Sequence, residues 1–193
     1  MKKRLIVGMT GASGVQYGLK LIEVLVESGH EVDLVISTGA RKVMEYELTF
    51  DPEPILNMAH HRYDERDLGA PIASGTHPNQ GMIIAPCSTK TLSAVANGYS
   101  DNLVCRAAEC MLKENRPLVL VTRETPLNLI HLKNMVAAKE AGATILPASP
   151  GFYYKPQSVD DLINFVAGKV LNTFSIEHNL FKPWDPDKAK SKK

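Results

Sequence analysis

Residues 8–14 read Gly-Met-Thr-Gly-Ala-Ser-Gly and follow directly on the apolar run Leu5-Ile6-Val7. A buried strand that runs into a glycine- and hydroxyl-rich turn and then opens a helix is a ready anion site. Glycines let the backbone approach closely, and the first helical N–H groups carry the positive end of the helix dipole. The spacing is G-x-x-G-x-x-G, neither the dinucleotide G-x-G-x-x-G nor a G-x-x-x-x-G-K-[ST] P-loop. Dinucleotide folds place an acidic residue at the end of the second strand to hold the ribose diol. Here that strand ends in Ser37-Thr38-Gly39. Hydroxyls suit a phosphate or a ring edge, which points to a mononucleotide, FMN being the commonest.

Apolar strands alternate with amphipathic helices along the chain. Strands are expected at Arg4–Met9, Glu31–Ile36, Gly81–Ala85, Leu118–Val121 and Thr144–Leu146. Helices are expected at about 13–28, through 42–46, and at 90–97, 102–114, 129–141 and 159–174, the last N-capped by Ser158. Residues 51–80 read as loop. Near-continuous apolar strands separated by helices imply an α/β chain, a three-layer flavodoxin-like or Rossmann-like fold whose parallel sheet is covered on both faces. The length, 193 residues, suits one domain, expected over residues 1–185, with a basic tail at 186–193.

Charge and cysteine content narrow the function classes. Twenty-two basic against 21 acidic residues leave no stripe for nucleic acid. No apolar stretch reaches the length of a membrane span. Three cysteines without a C-x-x-C pair argue for a reducing, cytoplasmic setting.

Ligands of parallel sheets bind at the carboxyl ends of the strands. Those ends are Thr10–Gly14, Ser37–Gly39, Pro86–Thr91, Thr122–Pro126 and Pro147–Tyr154. They gather hydroxyls, Lys90, the pair Arg123-Glu124 and the aromatic turn Phe152-Tyr153-Tyr154. The segments G-M-T-G-A-S-G (8–14), P-C-S-T-K-T-L (86–92), R-E-T-P (123–126) and P-G-F-Y (150–153), with Asp101-Asn102-Leu103, Ile130-His131-Leu132 and Pro183-Trp184, resemble the UbiX/Pad flavin prenyltransferases. Lys90, in place of a glycine, and Arg-Glu-Thr-Pro-Leu-Asn at 123–128 are similar to the branch paired with aromatic-acid decarboxylases.

The resemblance implies transfer of dimethylallyl from its monophosphate to reduced FMN. The product, prenylated FMN, would serve a UbiD-type decarboxylase, and the enzyme would be a homo-oligomer, usually a dodecamer. It implies FMN contacts from Gly11, Ala12, Ser13, Ser37, Ser88, Thr89, Lys90, Thr91 and Arg123. It implies a prenyl-phosphate site of Lys113, Arg123, Glu124, Tyr153 and Lys169. Glu47 would lie near the flavin, Trp184 would close the pocket, and Ser13 and Glu124 would take part in the chemistry. Thr76-His77 stands where many members have Ser followed by Phe or Trp, which bears on the shape of the prenyl pocket.

This chemistry needs no Ser or Cys nucleophile, and Cys87 reads as a small buried residue. Arg123, Lys113, Lys169 and the Tyr153 hydroxyl could receive a departing phosphate, and Glu124 could relay a proton. No metal is expected, because Asp160-Asp161 sits in a helical first turn rather than in a D-D-x-x-D motif. The rival of the same fold and cofactor is an FMN-dependent decarboxylase of the phosphopantothenoylcysteine type. It would carry P-A-S-A-N-T and a catalytic histidine near the second helix, where this chain has Pro86–Thr91 and Glu47. A flavodoxin-like electron carrier would be strongly acidic, and this chain is neutral.

Overall fold

A computed structural model describes residues 2–186, so all of the expected tail but Pro186 lies outside the described residues. The described residues divide into two compact units, 2–148 and 149–186.

The first unit is built on six parallel strands: β1 (Arg4–Met9), β2 (Glu31–Ile36), β3 (His61–Tyr63), β4 (Met82–Cys87), β5 (Leu118–Thr122) and β6 (Thr144–Ile145). Their order is β3-β2-β1-β4-β5-β6. The central strands are buried on both sides, as their unbroken apolar runs require. Chain order reverses between β1 and β4, and the crevice outside the carboxyl ends of these two strands is where such sheets hold ligands.

The helices are α1 (Val15–Glu27), α2 (Thr38–Glu47), α3 (Glu53–Leu56), α4 (Thr89–Ala96), α5 (Leu103–Lys113) and α6 (Leu129–Glu140). α1 covers one face of the sheet. Gly18 brings it so close that an added Cβ would lie 2.4 Å from the Ala85 carbonyl oxygen of β4. The other face packs Ile6, Met82, Ile84, Leu118 and Leu120 under Leu103, Val104, Ala107 and Met111 of α5. β3, expected as loop, is a three-residue edge strand with His61 and Arg62 exposed. A run this short and polar carries little periodic signal, and its pairing with β2 decides its state.

The second unit holds α7 (Val159–Thr173). Ser158 caps it as expected, and the Asp161 carboxylate accepts the N–H groups of Gln157 (2.7 Å) and Ser158 (3.1 Å). Those contacts hold the Asp161 carboxyl below its usual range. Among the described residues no helix is long and apolar enough to cross a membrane.

Candidate functional site

The β1–β4 crevice is pinned by Thr10. Its hydroxyl donates to the Pro86 carbonyl (2.8 Å) and accepts the Ser88 N–H (2.8 Å), locking the two strand ends together. Beside it the turns after β1 and β2 touch. A Cβ on Gly11 would come within 3.1 Å of the Gly39 Cα, so both positions need glycine for this approach. The Ala12 N–H donates to the Thr10 carbonyl (2.8 Å). The half-buried Ser13 hydroxyl has no partner among the described residues.

The start of α1 departs from the simple anion-turn picture. Gly14, at φ 97°, occupies the N-cap position and offers no side chain. Glu47, the last residue of α2, supplies the cap. Its Oε2 accepts the Gly14 N–H at 2.8 Å and, more weakly, the Val15 N–H at 3.4 Å. The helical amides expected to face a phosphate are therefore directed to an internal carboxylate, which complements the dipole as an exogenous anion would. The anion-binding capacity of this turn moves back to Gly11–Ser13.

Hydroxyl caps begin the next two helices at this edge. Ser37 Oγ accepts the Ala40 N–H (3.1 Å), which leaves the hydroxyl proton to donate to a ligand. Ser88 is more fully engaged. Its Oγ accepts the Thr91 N–H (3.3 Å) and donates to Thr91 Oγ1 (3.1 Å). Thr89 is half-buried in the first turn of α4. Lys90 is exposed, and its Nζ bonds Asp101 at 3.1 Å, which raises the Lys90 pKa. Thr38 is held through its N–H and hydroxyl by Glu65, a contact from the long loop with no local signal in the sequence.

At the end of β5, Thr122 is buried and Arg123 is exposed. Arg123 lies near Tyr17 of α1. Burial raises the Tyr17 phenol above its ordinary range, and the guanidinium partly opposes that rise. Tyr17 was not foreseen as a site residue; the signal available was an aromatic three residues after Gly14, on the face that returns to the turn. The exposed Glu124 carboxylate accepts the Thr125 N–H at 2.9 Å through Oε1, which orients it at the strand end.

Lys113 does not join this group within one chain. It ends α5, and β5 starts five residues later, so Lys113 lies at the opposite edge of the sheet. The five residues of β5 span roughly 16 Å between the two edges. Its Nζ lies 3.5 Å from Glu114.

The second unit carries Tyr153, Lys169 and Trp184. The rings of Tyr153 and Trp184 meet edge to face at 5.4 Å, and Tyr153 also meets Phe165 at 5.9 Å. Lys169 projects from α7 and is exposed.

His77 turns away from the strand ends. Its Nε2 lies 2.8 Å from Oδ2 of Asp33, three residues before the end of β2. It therefore belongs to the core near the opposite edge. His131, at N3 of α6, completes a capping box with Asn128.

The thiols are not nucleophiles in waiting. Cys87 is 1% exposed, and burial pushes its pKa far up. Burial, then the Asp101 charge, pushes Cys105 up to about 11. Reactive thiols need the opposite shift. Native protein treated with iodoacetamide at pH 8 is expected to gain no adduct at Cys87, and unfolded protein to gain one at each cysteine, by intact and peptide mass spectrometry. Native labelling at Cys87 would return it to the list of candidate nucleophiles.

The donor set fits a flavin mononucleotide. The Ser13 and Ser37 hydroxyls, the capped starts of α2 and α4 and the Arg123 guanidinium all stand at the carboxyl ends of the strands, where Thr122 Oγ1 is buried without a partner among the described residues.

The family model described as Flavoprotein matches residues 1–171. The flavin prenyltransferase UbiX of Methanothermobacter thermautotrophicus is 48% identical over 182 residues, covering 94% of this chain and 95% of that one. This chain belongs to the UbiX flavin prenyltransferase family. The crystal structure of AnUbiX (PadA1) in complex with FMN and dimethylallyl pyrophosphate matches with a TM-score of 0.93 at 41% identity, covering 96% of this chain and 98% of that one. A dodecameric FMN-dependent UbiX-like decarboxylase from Escherichia coli O157:H7 matches with a TM-score of 0.91 at 42% identity, covering 94% and 99%. The flavodoxin-like sheet and the strand-end turns are thus the UbiX framework.

Proposed function

We propose that this protein is a flavin prenyltransferase that transfers dimethylallyl from dimethylallyl monophosphate to reduced FMN, making prenylated FMN for a UbiD-type decarboxylase. The observation that carries this reading is the strand-end pair Arg123-Glu124 at the same sheet edge as the hydroxyl-bearing turns after β1, β2 and β4, in a chain 48% identical to a UbiX enzyme over 182 residues. Reduced FMN, when bound, supplies the nucleophile, so the protein needs none of its own.

The protein's part is electrostatic and acid–base. Gly11, Ala12, Ser13 and Ser37 hold the flavin, with Thr89, Lys90 and Thr91 at the start of α4. Ser88 acts there through the cap that shapes this turn. Loss of phosphate from the allyl group leaves a dianion, and Arg123 can take it with two parallel N–H bonds. Glu124, held by the Thr125 N–H, accepts the proton that must leave as the second bond to the prenyl group closes. Glu47 keeps the Ser13 turn in place by capping α1. The resemblance assigns Tyr153 and Lys169 of the second unit to phosphate and Trp184 to a π face for allylic positive charge. The monophosphate is favoured over the diphosphate because Asp161, half of the nearest acidic pair, is engaged in capping α7.

This reading requires a homo-oligomer. Lys113 reaches a strand-end site only from a second copy, and α6 exposes Ile130 and, along an open groove of about 300 Å³, Leu129, Leu132 and Val136. A helix apolar on its outer face is suited to burial against another copy. The relative described as dodecameric supports the same assembly here. The free thiols and the reduced substrate suit a cytoplasmic location.

The test is anaerobic incubation of the protein with reduced FMN and either dimethylallyl monophosphate or the diphosphate, followed by mass spectrometry of the flavin. Gain of one C5 unit from the monophosphate is expected. A flavin of unchanged mass with both donors would sink the proposal. Release of CO₂ from a cysteinyl substrate would favour the decarboxylase of the same fold instead.

A further inference from the structure

Thr122 is the last residue of β5 and only 5% exposed, and its Oγ1 is buried with no hydrogen-bond partner among the described residues. Its carbonyl accepts the Ala148 N–H at 2.9 Å, and the next N–H along the chain, of Arg123, donates to the Cys87 carbonyl at 3.4 Å. The hydroxyl is therefore a buried, unspent polar group at this strand end. Strand alternation puts the side chain on the face of Leu118 and Leu120, opposite Cys87 in register. The strand otherwise reads Leu-Val-Leu-Val, so a hydroxyl is what separates position 122 from its neighbours. A buried hydroxyl without a partner is a destabilising choice where valine has the same shape.

We infer that Thr122 is a flavin-contacting residue whose hydroxyl pairs with the polar rim of the flavin ring. This rests on the flavin reading above. Strands lie about 4.8 Å apart, so β5 sits about 10 Å from β1, across β4. A mononucleotide whose phosphate is held at the turns after β1 and β2 extends its ring across β4 towards β5. The Thr122 hydroxyl can donate to a ring carbonyl or nitrogen, or accept from a ring N–H. Arg123, next in the chain, points to the other side of the strand, towards Tyr17. The two residues thus divide the work, Thr122 orienting the ring and Arg123 receiving phosphate.

The experiment uses the full-length chain and two readouts besides turnover. Thr122→Val should raise the melting temperature of flavin-free protein by about 2–5 °C, because an unpaired hydroxyl is removed without change of shape. The same variant should bind oxidised FMN and riboflavin about 5- to 10-fold more weakly by fluorescence titration, because the ring contact is lost from both. Thr122→Ser should stay within about twofold of the parent affinity. A Thr122→Val protein that melts lower than the parent would show the hydroxyl already paired without flavin and overturn the inference. So would unchanged FMN affinity, or weakening confined to FMN with riboflavin unaffected. If the parent chain binds neither flavin, the functional reading falls as well; if it binds both and Thr122→Val binds equally well, only this inference falls.

Discussion

Replacing Glu124 with glutamine is expected to lower the rate of C5 transfer by about 100- to 10,000-fold, the range by which a positioned acid or base accelerates a reaction, while FMN affinity stays within about twofold. The substitution is nearly isosteric. The amide oxygen of Gln can still accept the Thr125 N–H that now bonds Oε1 at 2.9 Å, so the turn after β5 keeps its shape. What is lost is the ability to take up a proton. The defect should therefore appear in the maximal rate, with little change in the concentration of prenyl donor needed for half-maximal rate. Arg123 gives the contrasting pattern. Arg123→Lys keeps one positive charge but loses the two-pronged geometry, so weaker use of prenyl phosphate should accompany the fall in rate. A Glu124→Gln enzyme turning over within threefold of the parent would remove Glu124 from the chemistry and leave proton removal to the departing phosphate.

How much of this was legible in the chain depends on the range of the interaction that fixes each part. The four long strands and their helices are written in local periodicity, and the helix caps Ser37, Ser88, Asn102 and Ser158 stand at the turns where chemistry wants them. The strand-end rule then brought Gly11, Ser13, Ser37, Thr91, Arg123 and Glu124 to one edge of the sheet. Contacts across long loops were not legible. β3 exists because three polar residues find the free edge of β2, and Glu65 reaches Thr38 from 27 positions away. Glu47 could be matched by motif, yet its action as the cap of α1 depends on α2 folding back onto the Gly14 turn, 33 residues earlier. Lys113 shows the reverse limit. Its motif match was specific, but helix direction in a parallel α/β sheet returns every covering helix to the amino edge. Position 113 is therefore remote from Glu124 in its own chain.

His77 illustrates the same limit at a position that differs from the family pattern, and it carries the largest expected effect on stability. Asp33 is 0% exposed midway along β2, and one of its carboxylate oxygens has no hydrogen-bond partner among the described residues. The other meets His77 Nε2 at 2.8 Å. The His77 backbone is fixed in turn, its carbonyl accepting Arg116 Nη1 (2.8 Å) and Asn79 Nδ2 (3.0 Å). The Arg4 guanidinium, hydrogen-bonded to Glu31, also senses the Asp33 charge. His77→Ala removes the one side chain, among the described residues, that bonds this fully buried carboxylate. Leaving a buried polar group without its hydrogen-bond partner costs about 1–3 kcal/mol. In a chain of this size that corresponds to a fall of roughly 2–12 °C in melting temperature. Replacing both members, as His77→Leu with Asp33→Leu, should recover most of the loss, since replacing both partners by apolar groups of similar shape can be nearly neutral. Below its melting point His77→Ala should transfer dimethylallyl at close to the parent rate, because Asp33 and His77 sit some three residues, about 10 Å, down the strand from the reacting edge. A His77→Ala protein that melts within 2 °C of the parent but accepts a different prenyl chain length would reverse this assignment. It would place position 77 in the prenyl pocket, where the family pattern of an aromatic residue first suggested it.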